Sequence, residues 1–122
     1  MAKTERQCDG QSAERRARDK LETAGLRTLA QNWSCRVGEL DLVMRDGDLI
    51  VVVEVRYRRR ADFGGALESI DARKQRRIAR ATSAWLQRHR RDDPPVRFDV
   101  VTVDGEGRIE WLRDAFELAQ SR

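Results

Sequence analysis

Three carboxylates interrupt the most apolar part of the chain. In VGELDLVMRDGDLIVVVEVRYRRR, residues 37–60, Glu39, Asp41 and Glu54 lie inside two runs that otherwise read as β-strands, and Arg56 follows two positions after Glu54. Strand side chains alternate between faces, so residues of like parity share a side. Asp46-Gly47 between the runs is the strongest short hairpin signal, and taking it as a two-residue turn sets Arg45 against Asp48. Glu39 then faces Glu54, and Asp41 faces Val52. Asp41 and Glu54 become diagonal neighbours with Cα atoms roughly 7–8 Å apart, and Arg56 points the same way as Glu54. A three-residue loop would scatter the acids onto opposite faces.

Carboxylates crowded on one face repel each other, and burial raises their pKa. A hard divalent cation offsets both, since Mg²⁺ takes one or two carboxylates and completes its shell with water and substrate phosphate. Such a cation polarises a phosphoryl oxygen and makes water a nucleophile near neutral pH. Arg56 beside it would stabilise charge building on the phosphate, because a guanidinium matches phosphate oxygens in a bidentate way. The alternative is that the acids are solvated or salt-bridged to arginines on an exposed face. Spacing alone leaves both readings open.

The elements that must position these residues follow from periodicity and turn chemistry. Ser12 can cap a helix with Ala13, Ala17, Leu21 and Ala24 on one stripe, stopped by Gly25. LRTLAQNW, ELDLVMR and LIVVVEVRY read as three strands, with Leu49, Val51, Val53, Val55 and Tyr57 as the apolar face of the third. After a loop containing Gly64-Gly65, Asp71 can cap a long helix with Ile78, Ala81, Trp85 and Leu86 buried, ending before Pro94-Pro95. VRFDVVTV and RIEWL are further strands, and DAFEL a short closing helix. The order α-β-β-β-α-β-β-α predicts an α/β fold with a mixed sheet and helices on it. Residues 1–10 are expected to be a flexible N-terminus, 11–118 one domain and 119–122 a tail.

The 122 residues carry a net charge of +4, unevenly spread. Residues 56–91 hold twelve Lys/Arg against three Asp/Glu. That asymmetry suits a polyanion, nucleic acid first and an acidic membrane surface second. Since 22 of the 25 basic residues are Arg, a compositional habit of using Arg for any solvated cation also fits. Cys8 and Cys35 make no paired motif and the lone His89 completes no zinc set, so two free thiols are expected. No apolar run is long enough to span a membrane and the first residues lack a signal-peptide core, which predicts a cytoplasmic protein without membrane contact. His89 is read as a helix-end residue and Trp85 as core. Trp33 and Trp111 are either core or platforms for bases.

GELD, twelve residues and then EVR resemble the PD-(D/E)xK nuclease superfamily, which takes an Asp from one strand and a Glu-x-Lys from the next. With FGGALESID, KQRRIARATSAWLQRH and VRFDVV following in order, the chain resembles the YraN family of small bacterial proteins over residues 11–118. The resemblance implies a restriction-endonuclease-like core, α-β-β-β-α-β, and a nuclease-like protein similar to archaeal Holliday-junction resolvases. It implies a substrate of branched or structured DNA and Mg²⁺ or Mn²⁺ as cofactor. Asp41 and Glu54 match the metal-binding acids and Arg56 stands where a lysine is usual. Glu14 matches a helix glutamate that supports the metal, and Glu39 belongs to the family's GExD, where it helps to hold the metal or pairs with an arginine. Lys74 and Gln75 match a KQ that reaches the same site or a phosphate. Arg58, Arg59, Arg60 and Arg77 are read from the basic run as further nucleic-acid contacts. Because an arginine stays protonated, Arg56 can stabilise charge but cannot accept a proton. Resolvase likeness further implies a homodimer. The rival reading is a non-catalytic nucleic-acid-binding module, or an interaction protein for a DNA-processing partner.

Overall fold

The computed structural model describes residues 5–58, 70–89 and 92–117, with side chains from Ser12 onward and that of Arg58 excepted. In chain order come α1 (Glu5–Thr23), β1 (Arg27–Cys35), β2 (Gly38–Asp46), β3 (Leu49–Arg58), α2 (Ala72–His89), β4 (Val96–Asp104) and β5 (Ile109–Leu112). The strands form one sheet in the order β1-β2-β3-β4-β5, with β3 and β4 parallel and the other neighbours antiparallel. This is the α-β-β-β-α-β arrangement expected of a restriction-endonuclease-like core, with β5 added at one edge. Among the described residues no helix is long and apolar enough to cross a membrane.

Helices cover both faces of the sheet. α1 lays Ala13, Ala17 and Leu21 on Leu42, Met44, Val51, Val53, Val101 and Val103. α2 lays Ile78, Ala81 and Trp85 on Leu40, Val43, Ile50, Val52, Phe98 and Val100. Successive residues of β3 therefore enter opposite cores, which is why the strand reads as an unbroken apolar run. Each such Val or Ile contributes about 1.5–3 kcal/mol on burial. The sequence suggested one apolar face and one acidic face. In the structure the face that carries Glu54 is also core as far as Val52, and the acids occupy only its end.

The hairpin turn is displaced from its expected position. Asp46 pairs with Leu49 and Leu42 with Val53, so the two-residue turn is Gly47-Asp48. Gly47, at φ 60, occupies the first turn position, where a positive φ is required and glycine accepts it without strain. The displacement is two in the paired numbers, so face parity survives, but Glu39 does not face Glu54 and Asp41 does not face Val52. Glu39 pairs instead with Ser34 of β1.

Both ends of the described chain depart from expectation. α1 begins at Glu5, so Ser12 lies within the helix and does not cap it. Gly25, at φ 104, stops it as expected, with its N–H on the Glu22 carbonyl at 3.0 Å, although Ala24 is exposed. The second helix starts as anticipated: Asp71 Oδ1 accepts the Lys74 N–H at 2.9 Å. Asp114–Glu117 is not helical. Asp114 sits at φ 52, its N–H bonds Asp99 and the Ala115 N–H bonds the Phe98 carbonyl. Those amides are thereby committed to β4, and Phe116 stacks on Phe98 at 5.1 Å. Arg59, Arg60, Gly64 and Gly65 lie outside the described residues, as does the Arg58 side chain.

Asp99 is fully buried within β4, and the sequence did not mark it out. Its two oxygens accept Arg97 Nε at 2.8 Å and Nη2 at 2.9 Å, Trp111 Nε1 at 2.9 Å and the Asp114 N–H at 2.9 Å. One carboxylate thus joins β4, β5 and the segment after β5. Asp99→Ala should lower the free energy of unfolding by about 3 kcal/mol, since it strands the donors around it. Urea unfolding followed by circular dichroism checks this, and a loss below about 1 kcal/mol would refute the assignment.

Candidate functional site

The alternation of side chains in β2 reverses at Asp41. Leu40 packs in the α2-side core, yet Leu42 and Met44 pack in the α1-side core, although residues two apart should share a face. Across the ladder the same reversal occurs in β1. Its Trp33 pairs with Leu40 and its Gln31 with Leu42, and Asn32 between them has φ 48. Asn accepts this left-handed conformation more readily than most residues. The paired residues of β2 and β3 also end here, at Leu42 and Val53, while β3 continues to Arg58 beside β4. β2 has left β3, and the Asp41 side chain fills the gap: its Oδ2 accepts the Val55 N–H at 2.9 Å. A side-chain oxygen thus does the work of the missing backbone carbonyl.

Glu54 lies on the same stretch of β3, buried at 7% exposure. Burial and the neighbouring Asp41 carboxylate push its pKa up to about 7, against the pull of the Lys74 and Arg56 charges. Asp41 is also raised, by burial first, although the Val55 N–H, the Lys74 charge and a hydrogen bond with Glu54 act the other way. The compensating cation is Lys74 of α2, whose Nζ stands 3.1 Å from Glu54 Oε1. Its side chain is 39% exposed, so the ion pair is partly screened. Arg56 is half-buried, and its charge also eases Glu54.

Glu14 of α1 is half-buried and hydrogen-bonded to Asn32; burial raises its pKa, with smaller contributions from Asp41 and Glu39. Glu39 is exposed at the entrance. Among the described residues no three His, Cys, Asp or Glu side chains converge. The tight pair is Asp41 and Glu54, and Glu14 and Glu39 add negative charge from a greater distance. That donor set fits a small hard cation, because Mg²⁺ needs only one or two carboxylates and keeps several waters.

Beside the pair opens a groove of about 420 Å³, lined by Cys35, Arg36, Glu39, Glu54, Lys74 and Arg77 among others. Lys74 and Arg77 were expected to face a phosphate, and both do line this groove. Gln75 turns elsewhere: its Nε2 donates to the Ile70 carbonyl at 3.1 Å and ties the start of α2. Arg36 escaped the sequence reading, as it belongs to the turn between β1 and β2 and carries no motif. Gly38 explains how that turn reaches α2, since an added Cβ would meet the Arg77 carbonyl at 3.1 Å. Cys35 is a free thiol. His89 is a packing residue, with Nδ1 at 2.9 Å from the Trp85 carbonyl and its ring stacked on Trp85 at 4.8 Å. Trp33 meets the His89 ring edge-on at 6.4 Å and lies under Arg88.

Comparison with known proteins gives a consistent match along the chain. The profile of "Uncharacterised protein family UPF0102" matches residues 13–103. A UPF0102 protein of Stutzerimonas stutzeri (strain A1501) is 52% identical over 93% of this chain and 98% of its own length. One of Pseudomonas entomophila (strain L48) is 54% identical over 90% of this chain and 94% of its own. One of Alkalilimnicola ehrlichii is 56% identical over 88% and 85%.

The acid pair links stability to pH with a definite sign. The folded pKa of Glu54, about 7, lies above its ordinary 4.5. Between those values the folded state holds a proton that the unfolded chain has lost, so stability falls as pH rises through this window and levels off above it. Glu54→Gln removes that contribution. Its urea midpoint should therefore gain on wild type from about pH 5 to about pH 8. A wild-type-minus-variant difference that stays flat, or that grows in the opposite direction, would contradict the burial of a charged Glu54.

Proposed function

The chain belongs to the UPF0102 family, and we propose that it is a metal-dependent phosphodiester hydrolase acting on nucleic acid. Its substrate in this reading is DNA of branched or otherwise structured form. The observation that supports it is the acid pair: Asp41 and Glu54 lie together, desolvated, with an ammonium against them, where the sheet opens. Such a pair is unfavourable without shared positive charge.

Asp41 and Glu54 would hold Mg²⁺ or Mn²⁺, which supplies Lewis acidity toward phosphate oxygens and a nucleophilic water. The chain's own groups do the rest. Val55 fixes one Asp41 oxygen through its N–H, so the carboxylate cannot rotate freely. Arg56 and Lys74 set positive charge near the carboxylates from β3 and α2, where it meets charge developing on a phosphodiester. Arg56 remains protonated, so its contribution is electrostatic. Lys74 is a point charge on a flexible stem and can pass from Glu54 to a phosphate oxygen. Arg36 and Arg77 flank the groove for neighbouring phosphates. The preference for structured DNA, and assembly as a homodimer, come from the resolvase resemblance. A second reading, binding without cleavage on behalf of a DNA-processing partner, draws on Arg56 standing where that superfamily carries lysine.

The test compares wild type with Glu54→Gln on labelled four-way junction, flap, single-stranded and linear DNA, each with Mn²⁺ or chelator. Metal-dependent cleavage that falls by a factor of about 10²–10³ in the variant is the expected result. Binding by both proteins without cleavage would replace the enzyme by the binding module. Absence of binding to all four DNAs would remove nucleic acid from the account.

A further inference from the structure

A second groove, of about 620 Å³, lies between α1 and β5, lined by Arg16, Asp19, Lys20, Ile109, Trp111 and Arg113 among others. It exists because α1 packs mainly over β3 and β4 and stops short of the edge strand β5. Helical phase separates it from the acid site. Glu14 and Arg18 lie on the flank of α1 toward β1, where Arg18 Nη1 reaches Gln31 at 3.3 Å. Arg16 and Lys20, one turn apart, lie on the other flank.

Three features make this groove a built surface. Trp111, part of its apolar wall, is oriented from behind: its Nε1 donates to Asp99 Oδ2 at 2.9 Å, and Asp99 is fully buried. The Arg113 guanidinium stacks over the Trp111 ring at 3.9 Å. Arg16 is seated against Gly107, where an added Cβ would come within 2.9 Å of its Nη1. Three exposed cations thus stand with one acid, Asp19, around an aromatic and aliphatic wall. A ligand that suits this must offer negative charge at short intervals and flat apolar faces between.

We propose that the α1–β5 groove binds a segment of single-stranded DNA, with bases stacking on the Trp111–Arg113 wall and phosphates on Arg16 and Lys20. This goes beyond the acid site: it takes from the functional reading only the class of polymer, and it needs neither metal nor cleavage. An acidic peptide would satisfy the cations but would leave the stacked wall unused.

The experiment uses the full chain carrying Glu54→Gln, in chelator, with a fluorescein-labelled thymidine 12-mer. Expected is binding that weakens about tenfold in Arg16→Gln/Lys20→Gln, with the slope of log K against log salt reduced by about 1.4, since single strands lose about 0.7 per phosphate contact. Both substituted residues are exposed, so the variant should retain its fold by circular dichroism. In a Trp33→Phe background the oligonucleotide should quench tryptophan emission, and adding Trp111→Phe should abolish the quenching. Unchanged affinity and slope in the double variant would overturn the proposal and leave the acid-site reading standing. So would displacement of the oligonucleotide by a polyglutamate peptide at equal charge concentration. If binding follows the groove cations yet wild type cleaves nothing, the groove stands and the hydrolase reading falls.

Discussion

The reversal of the pleat at Asp41 is the constraint on which the acid site rests. A regular β2 would keep its backbone bonded to β3 and send Asp41 to one face, either into a helix or into water. With Asn32 in a left-handed conformation opposite, the strand turns over between Leu40 and Leu42. The carboxylate then lies toward β3, where it bonds the Val55 N–H. Three consequences share that cause: a fixed Asp41 oxygen, a desolvated Glu54 beside it, and an opening on the α2 side from which Lys74 enters. Whatever binds there meets negative charge already partly stripped of water, so its electrostatic interactions are stronger than at an exposed surface.

Much of this was legible in the sequence, and the failures have identifiable causes. The strands, the long capped helix and the partnership of Asp41 with Glu54 follow from periodicity and turn residues. The exact hairpin register did not, because Asp-Gly is the stronger turn signal whereas the chain folds over Gly47-Asp48. The acid pairing survived that error only because the displacement was even. Asp99 looked like any polar residue of a strand, since its donors come from Arg97, Trp111 and Asp114 and only the last two are brought near by β5. The closing helix was suggested by local propensity, and tertiary hydrogen bonds from Asp114 and Ala115 to β4 overrode it. Arg36 and the Lys74–Glu54 contact depend on how closely β2 approaches α2, for which the sequence offers only Gly38.

Charge is distributed as the fold divides the molecule. Of the cations from residue 56 onward, those of α2 crowd one side of the sheet, where Lys74 and Arg77 border the acid groove. Arg16, Lys20 and Arg113, scattered through the sequence and invisible as a cluster there, meet on the far side of α1. The composition reported an excess of arginine without saying that part of it gathers, with Lys74 and Lys20, around two separate grooves.

The parallel pairing of β3 with β4 has a consequence for how the molecule comes into being. Ile50 lies opposite Val96 across a connection that contains all of α2. Such a contact cannot form until that long loop closes, and non-local pairings of this kind slow folding. The β1–β2–β3 meander is local by comparison and can assemble first. In that order Glu54 would stand on β3 before α2 sets Lys74 against it. Until α2 docks, Arg56 on the same strand would ease Glu54, and the Lys74 charge would be added only when the helix settles on the sheet.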